Sequence, residues 1–402
     1  MITLADIERA RARIRDAVLV SPCSYSETFS EMTGSKVFLK LENLQITGSF
    51  KERGAVNKLL SLDPQERRHG VIAASAGNHA QGVAYHAHKQ GIAATIVMPL
   101  NTPLIKVART REYGAEVLLH GASYDEAFDE AVRQQLTSGA ILIHAFDDPL
   151  IIAGQGTIAL ELLEQNPFLE TVIVPIGGGG LAAGIALGLK ETNPKIRIIG
   201  VEAARVPSMI EAIKAKHPVT LPPQATLAEG IAVRRVGNLT LPLVEKYVDE
   251  IVTVEEEEIA KAILLLLERE KTVAEGAGAA AFAALMAGRC NARGRRVAVL
   301  VCGVNIDVNM LSRIIERGLV KDGRLVRLRV CVPDHPGALH RLTGTVAKAR
   351  ANVLEVFHNR AFSRVELGET AIDLQLETRG SAHVEELLAL LTADGYRAEN
   401  IP

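Results

Sequence analysis

Short apolar runs alternate with longer helical stretches from about residue 2 to residue 319, and this rhythm restricts what the chain can fold into. The runs include Lys36–Leu41, Ala94–Met98 and residues 172–175, 196–201 and 297–301, and helical patterns such as 125–135 and 256–269 lie between them. Apolar strands separated by helices bury both faces of a parallel sheet, so the expected class is α/β with parallel-rich sheets. In such open sheets ligands gather beyond the carboxyl ends of the strands. The chain has 402 residues, 48% of them hydrophobic and 23% charged, which is globular composition and too much for one ordinary domain.

The rhythm changes near Asp322, Gly323 and Arg324. Beyond it the pattern reads strand 326–332, helix 336–350, strands 353–360 and 370–378, helix 382–392 and a short strand near 396–398. That β-α-β-β-α-β order is a ferredoxin-like unit. The expected domains are therefore 1–320, with a smaller subdomain at about 52–150 inserted in the larger one, and 325–402. The uncharged stretch 171–189 is long enough to span a bilayer, but Pro175 and four consecutive glycines break it into a strand, a loop and a helix.

A formal net charge of −2 gives no electrostatic reason to expect nucleic acid or an anionic membrane as partner. Cys23, Cys290, Cys302 and Cys331 are scattered without a C-x-x-C pair, so neither a zinc site nor a disulfide framework is expected, and no metal is assigned. The first residues have no apolar core of the signal-peptide kind. Together these features favour a reducing, cytoplasmic location.

Four segments carry chemistry. In the stretch from Thr47 to Gly54, Ser49 and Glu52 have the spacing of a capping box, which predicts a helix beginning at Ser49 with Lys51 in its first turn. The positive end of the helix dipole lowers a lysine pKa there, as imine formation with an aldehyde requires. The competing reading is a surface lysine beside a helix start.

Gly177, Gly178, Gly179 and Gly180 follow a strand and precede a helix predicted from Leu181. Backbone N–H groups in such a turn approach an anion closely, and the helix terminus adds a favourable field. Gly178, Gly180 and Ala183, with Glu202 after the next strand, also fit the dinucleotide fingerprint, so a nicotinamide enzyme stays open at this point.

Ser75, Ala76, Gly77, Asn78 and His79 form a strand-to-helix turn able to receive a carboxylate, although Ser and Asn are also ordinary capping residues. Cys302 ends another buried strand, where a cysteine is usually inert core. His79 and His144 read as structural rather than catalytic.

Taken in order, these segments resemble the fold-type II (tryptophan synthase β-like) pyridoxal-phosphate enzymes, and within them the threonine/serine dehydratases. The most specific pieces are Gly48 to Ala55, Ser75 to Gly82, Ala153 to Thr157 (Ala-Gly-Gln-Gly-Thr) and the glycine run, and the resemblance covers nearly the whole chain. It implies pyridoxal 5′-phosphate as cofactor and Lys51 as the Schiff-base lysine. It places the phosphate on Gly177 to Gly180, the ring hydroxyl at Asn78, the pyridine nitrogen near Cys302 and the ring near Glu275. It also assigns the substrate carboxylate to Ser75, Asn78 and His79. Val304 and Gly276 depart from the family, which often has glycine and proline there.

The implied activity is elimination on L-threonine, and on L-serine, to a 2-oxo acid and ammonia. Serine racemase is the nearest rival, but Ala76 stands where racemising relatives have a serine, and alanine has no proton to give. The C-terminal unit resembles an ACT domain through Asp334 to Leu339 and Asn352 to Leu354, which implies a regulatory amino-acid effector. An oligomerisation module that binds nothing is the competing reading of that unit, and a non-catalytic amino-acid sensor is the rival reading of the whole chain that rests on it, against which the intact lysine and glycine turn argue. The resemblance further implies a homodimer or homotetramer.

Overall fold

The computed structural model describes residues 2–359 and 366–401. It divides into two compact units, Met1–Ile306 and Asp307–Pro402.

The first unit holds two sheets. In the six-stranded sheet the order is Cys23–Ser26, Lys36–Leu41, Arg296–Val301, Thr171–Pro175, Arg197–Ala203, Glu250–Val254. Only the edge strand Cys23–Ser26 runs antiparallel to its neighbour. The second sheet is parallel throughout, ordered Glu116–Leu119, Ala94–Met98, Val71–Ala74, Ile141–Leu142. Its strands all fall between residues 71 and 142, inside the segment read as an inserted subdomain.

The central strands read as unbroken apolar runs because helices cover both faces. Thr171–Pro175 and Val71–Ala74 are buried at every position. The helices Pro149–Gln165 and Gly180–Thr192 cross with glycine at the contact. A Cβ on Gly184 would lie 2.4 Å from the Ile152 carbonyl oxygen and 2.7 Å from the Gly156 nitrogen. Small residues are what let these two backbones approach so closely.

A buried ionic cluster ties the helix Lys51–Ser61 to its surroundings. Arg53 is fully buried and bonds Glu42 through Nε at 2.7 Å and Glu161 through Nη1 at 2.6 Å. Lys40, equally buried, bonds Glu161 at 2.6 Å. Two cations face two carboxylates, and Ser21, Thr157 and the Leu19 carbonyl satisfy further atoms. The carboxylates hold the Arg53 guanidinium above its ordinary pKa even though burial works against the charge.

The second unit has the expected β-α-β-β-α-β order: Leu325–Pro333, Ala338–Lys348, Asn352–Asn359, Glu369–Glu377, Ser381–Ala393 and Arg397–Asn400. The strands form one antiparallel sheet, with Leu325–Pro333 and Glu369–Glu377 in the middle. Val326, Leu328, Val330 and Val332 alternate onto the helix-covered face. The predicted strand end at Arg360 lies outside the described residues.

Two differences from expectation have clear causes. The helix Val308–Lys321 groups with the second unit, so the division falls at residue 306 rather than near 320. The helix expected from Pro336 starts at Ala338, because Gly337 takes φ 85° as its N-cap and the chain turns there before entering the helix.

Candidate active site

Lys51 is the first residue of the helix Lys51–Ser61, and Phe50 is the N-cap. The predicted capping box does not form. Glu52 reaches back beyond Ser49 and accepts from the Thr47 backbone N–H at 2.8 Å and the Thr47 hydroxyl at 2.7 Å. Ser49 instead makes a β-bridge with Gly303, and the Phe50 N–H donates to the Cys302 carbonyl at 3.2 Å. The helix is therefore entered from an extended segment stitched to the end of strand Arg296–Val301. That stitching brings Lys51 beside Cys302.

One cavity collects most of the residues the sequence singled out. Lys51, Asn78, Glu275, Cys302 and Gly177 through Gly180 all line it. The Asn78 amide donates to Glu275 Oε1 at 2.5 Å, joining the small-sheet part of the unit to the helix Gly276–Met286. Gly303 makes room for this contact, since a Cβ there would sit 2.2 Å from Glu275 Oε1. Val304, where relatives often have glycine, packs within 2.8 Å of the position a Cβ on Gly48 would take.

The electrostatics follow from burial. Desolvation lowers the Lys51 amine to about 8, against opposing attraction from Glu275. Loss of water is the main cause, one the position at a helix start did not by itself reveal. Desolvation raises Glu275 to about 7, offset partly by the Asn78 hydrogen bond. It also pushes the Cys302 thiol well above its ordinary range, so that group is a neutral S–H.

The glycine turn is packed from outside. Cβ atoms on Gly178 and Gly180 would lie 2.3 Å from the Phe146 ring and 2.8 Å from the Phe146 carbonyl oxygen. Gly179 has φ 97°, a left-handed conformation that suits glycine. With every side closed to side chains, the turn offers the cavity only peptide groups.

Ser75 and His79 do not line the cavity. The Ser75 hydroxyl accepts from the Gly77 N–H at 3.1 Å. The His79 ring is bonded through Nε2 to the Ile143 carbonyl at 2.8 Å, and burial lowers its pKa to about 3. What His79 retains for an anion is its backbone N–H, because the first bond of this helix runs from Gln81 to Gly77. His144 is structural as expected: its Nδ1 accepts from the N–H groups of Phe146 and Asp147 at 3.2 and 2.8 Å.

Sequence reasoning gave no role to Gln155, Ala145, Phe146 or Ile231, which also line the cavity. Gln155 lay within a motif already singled out, and its Oε1 accepts from the Gly54 N–H at 3.2 Å. The others had no local signal.

Glu202, on which the nicotinamide reading leaned, is turned away from any such role. It is 1% exposed and accepts the N–H groups of Met209 and Ile210 at 2.7 and 3.0 Å, capping the helix Ser208–Ala215 from a distance.

The cavity has the features a pyridoxal-phosphate site needs: a desolvated primary amine, a side-chain-free turn at a helix terminus and a buried polar atom without a partner. That atom is Asn78 Oδ1, placed to meet a polar group of a ligand. The chain belongs to the pyridoxal-phosphate dependent enzyme family, whose sequence pattern it matches over residues 14–303. Its cofactor is pyridoxal 5′-phosphate, and its fold is that of the fold-type II enzymes.

The chain is 51% identical to the L-threonine ammonia-lyase of Thermotoga maritima over 396 residues, 98% of each protein. Among solved structures it is similar to the T.th. threonine deaminase (TM-score 0.72, 39% identity, 76% of this chain and 99% of that one). It is also similar to maize serine racemase (TM-score 0.74, 36% identity, 80% of this chain and 98% of that one).

Proposed function

We propose that this protein is a threonine ammonia-lyase that converts L-threonine, and also L-serine, to the 2-oxo acid and ammonia. The observation that carries this reading is the desolvated Lys51 amine in one cavity with the tetraglycine turn, in a chain half identical to a threonine ammonia-lyase. When bound, the cofactor supplies an electron sink for charge developing on the substrate α-carbon.

The protein residues divide the remaining work. Lys51 Nζ would hold the cofactor covalently at rest and, once free, take the substrate α-proton, and the burial that lowers its pKa to about 8 favours the neutral amine both tasks need. Gly177 to Gly180 would hold the phosphate through backbone N–H groups. The Asn78 side chain would meet the ring hydroxyl, and Glu275 keeps Asn78 oriented. Cys302, which lines the cavity as a neutral thiol, would face the ring nitrogen as a donor too weakly acidic to charge it. The backbone N–H groups at the start of the helix Asn78–Lys89 would receive the substrate carboxylate beside the cavity, with the Ser75 hydroxyl, bonded to the Gly77 N–H, shaping the turn.

Racemisation is disfavoured because Ala76 has no proton to deliver to the opposite face. Residues 325–402 act as an ACT-like regulatory unit that binds an amino-acid effector, a reading supported by the β-α-β-β-α-β order and the central pairing of the first and third strands. The protein works as a cytoplasmic homo-oligomer.

A panel of hydroxyamino acids assayed for 2-oxo acid and ammonia tests the activity, with chiral analysis of recovered serine. Threonine should be turned over, with little D-serine formed. Lys51→Ala should remove both the turnover and the yellow colour of the purified protein; retained turnover would refute the assignment.

A further inference from the structure

A run of four glycines has more conformational freedom than any other four residues, so an anion site made from it is only as good as whatever holds its peptides in place. The carbonyl of Gly178 is held strongly. It accepts from the Thr240 hydroxyl at 2.6 Å and from the Gly237 N–H at 3.3 Å. In a trans peptide the N–H points opposite to the C=O. The N–H across this peptide is that of Gly179, so it is turned away from Thr240, and Gly179 lines the cofactor cavity.

Thr240 is itself fixed on all sides. It is fully buried, and its hydroxyl oxygen accepts from the Gly237 N–H at 3.1 Å, leaving the hydroxyl hydrogen for Gly178. Asp147 accepts the N–H groups of Asn238, Leu239 and Thr240 at 2.9, 2.8 and 3.3 Å, holding the start of the helix Thr240–Tyr247. The fit leaves no slack: a Cβ on Gly237 would lie 2.1 Å from Asp147 Oδ1, and one on Gly179 would lie 2.8 Å from Thr240 Oγ1. Phe146, next to Asp147, presses on Gly178 from the other side. Neither Asp147 nor Thr240 lines the cavity.

We propose that Thr240, braced by Asp147, is a positioning residue for the cofactor phosphate: it locks the Gly178–Gly179 peptide with its N–H toward the phosphate. The inference rests on the reading that the tetraglycine turn is the phosphate cup. Without the hydroxyl, the buried Gly178 carbonyl loses its main donor, and the peptide is free to rotate and present oxygen instead of N–H to an anion. Removing such a partner costs enough to change affinity by about tenfold.

The test compares pyridoxal phosphate with pyridoxal, which lacks the phosphate, binding to the full-length apoenzyme by equilibrium dialysis. The 31P resonance of the bound cofactor is recorded in parallel. Thr240→Val should weaken pyridoxal phosphate by about tenfold or more while pyridoxal changes less than about twofold, and the 31P line should shift. Thr240→Ser should restore affinity and line position. Asp147→Asn should move both in the same direction by less, and serves if Thr240→Val does not fold.

A Thr240→Val protein that keeps the wild-type preference for the phosphorylated ligand overturns the proposal. So does equal weakening of both ligands, the mark of a merely structural residue. If the wild-type protein shows no preference for the phosphorylated ligand, the phosphate-cup reading itself has failed.

Discussion

At the scale of single residues the site is organised by desolvation. Lys51 has its pKa lowered to about 8 in the folded protein from an ordinary 10.5. Between those values the unfolded chain binds the extra proton, so the contribution of this group to stability rises with pH across the window and is unfavourable below it. Lys51→Met should therefore stabilise the apoenzyme at pH 7, by about 1–3 kcal/mol, while abolishing turnover. Urea unfolding at pH 7 and pH 10 checks this; the gain should shrink at the higher pH. Arg53 is the opposite case. Arg53→Met leaves the Glu42 and Glu161 carboxylates buried without their main partner and should cost about 3–5 kcal/mol, read as a fall in the urea midpoint. Lys51, Asn78 and the four glycines were legible because each sits in a short local motif. The ring contact of His79 was not, because its partner Ile143 is distant in sequence and belongs to a different element.

At the scale of elements, glycine marks where backbones meet. Gly184→Ala places a methyl 2.4 Å from the Ile152 carbonyl oxygen, and neither helix can move without disturbing the sheet beneath. A loss of roughly 1–3 kcal/mol is expected, visible as a lowered thermal midpoint of the apoenzyme. Strands such as Lys36–Leu41 and Ala94–Met98 were readable to the residue, since short runs rich in β-branched, aromatic and aliphatic residues leave little choice. Helix starts were read less well. Ser49 and Glu52 had the spacing of a cap, but the bridge from Ser49 to Gly303 and the reach of Glu52 to Thr47 delayed the helix to Lys51. A long-range strand contact outweighed a local hydrogen-bond pattern.

At the scale of the whole molecule, the two compact units suggest two separable tasks. The T.th. threonine deaminase is matched along 99% of its length by 76% of this chain, so the remainder is not required by that relative's fold. A chain ending at Ile306 should retain 2-oxo acid formation from threonine and lose any response to added isoleucine or valine. Assays of truncated and full-length protein with and without those amino acids check this, and an unchanged response would assign regulation to the first unit.

The sequence alone determined the α/β class, the β-α-β-β-α-β order of the C-terminal unit, the cofactor, and the choice of Lys51 as the candidate lysine for it. These depend on periodicity and on short motifs, in which the interacting atoms lie a few residues apart. Only the tertiary structure decided that burial sets the Lys51 pKa, that Glu202 caps a helix, and that Asp147 and Thr240 lie beneath the glycine turn. Those outcomes depend on water exclusion and on contacts between residues tens of positions apart, and no local pattern encodes either.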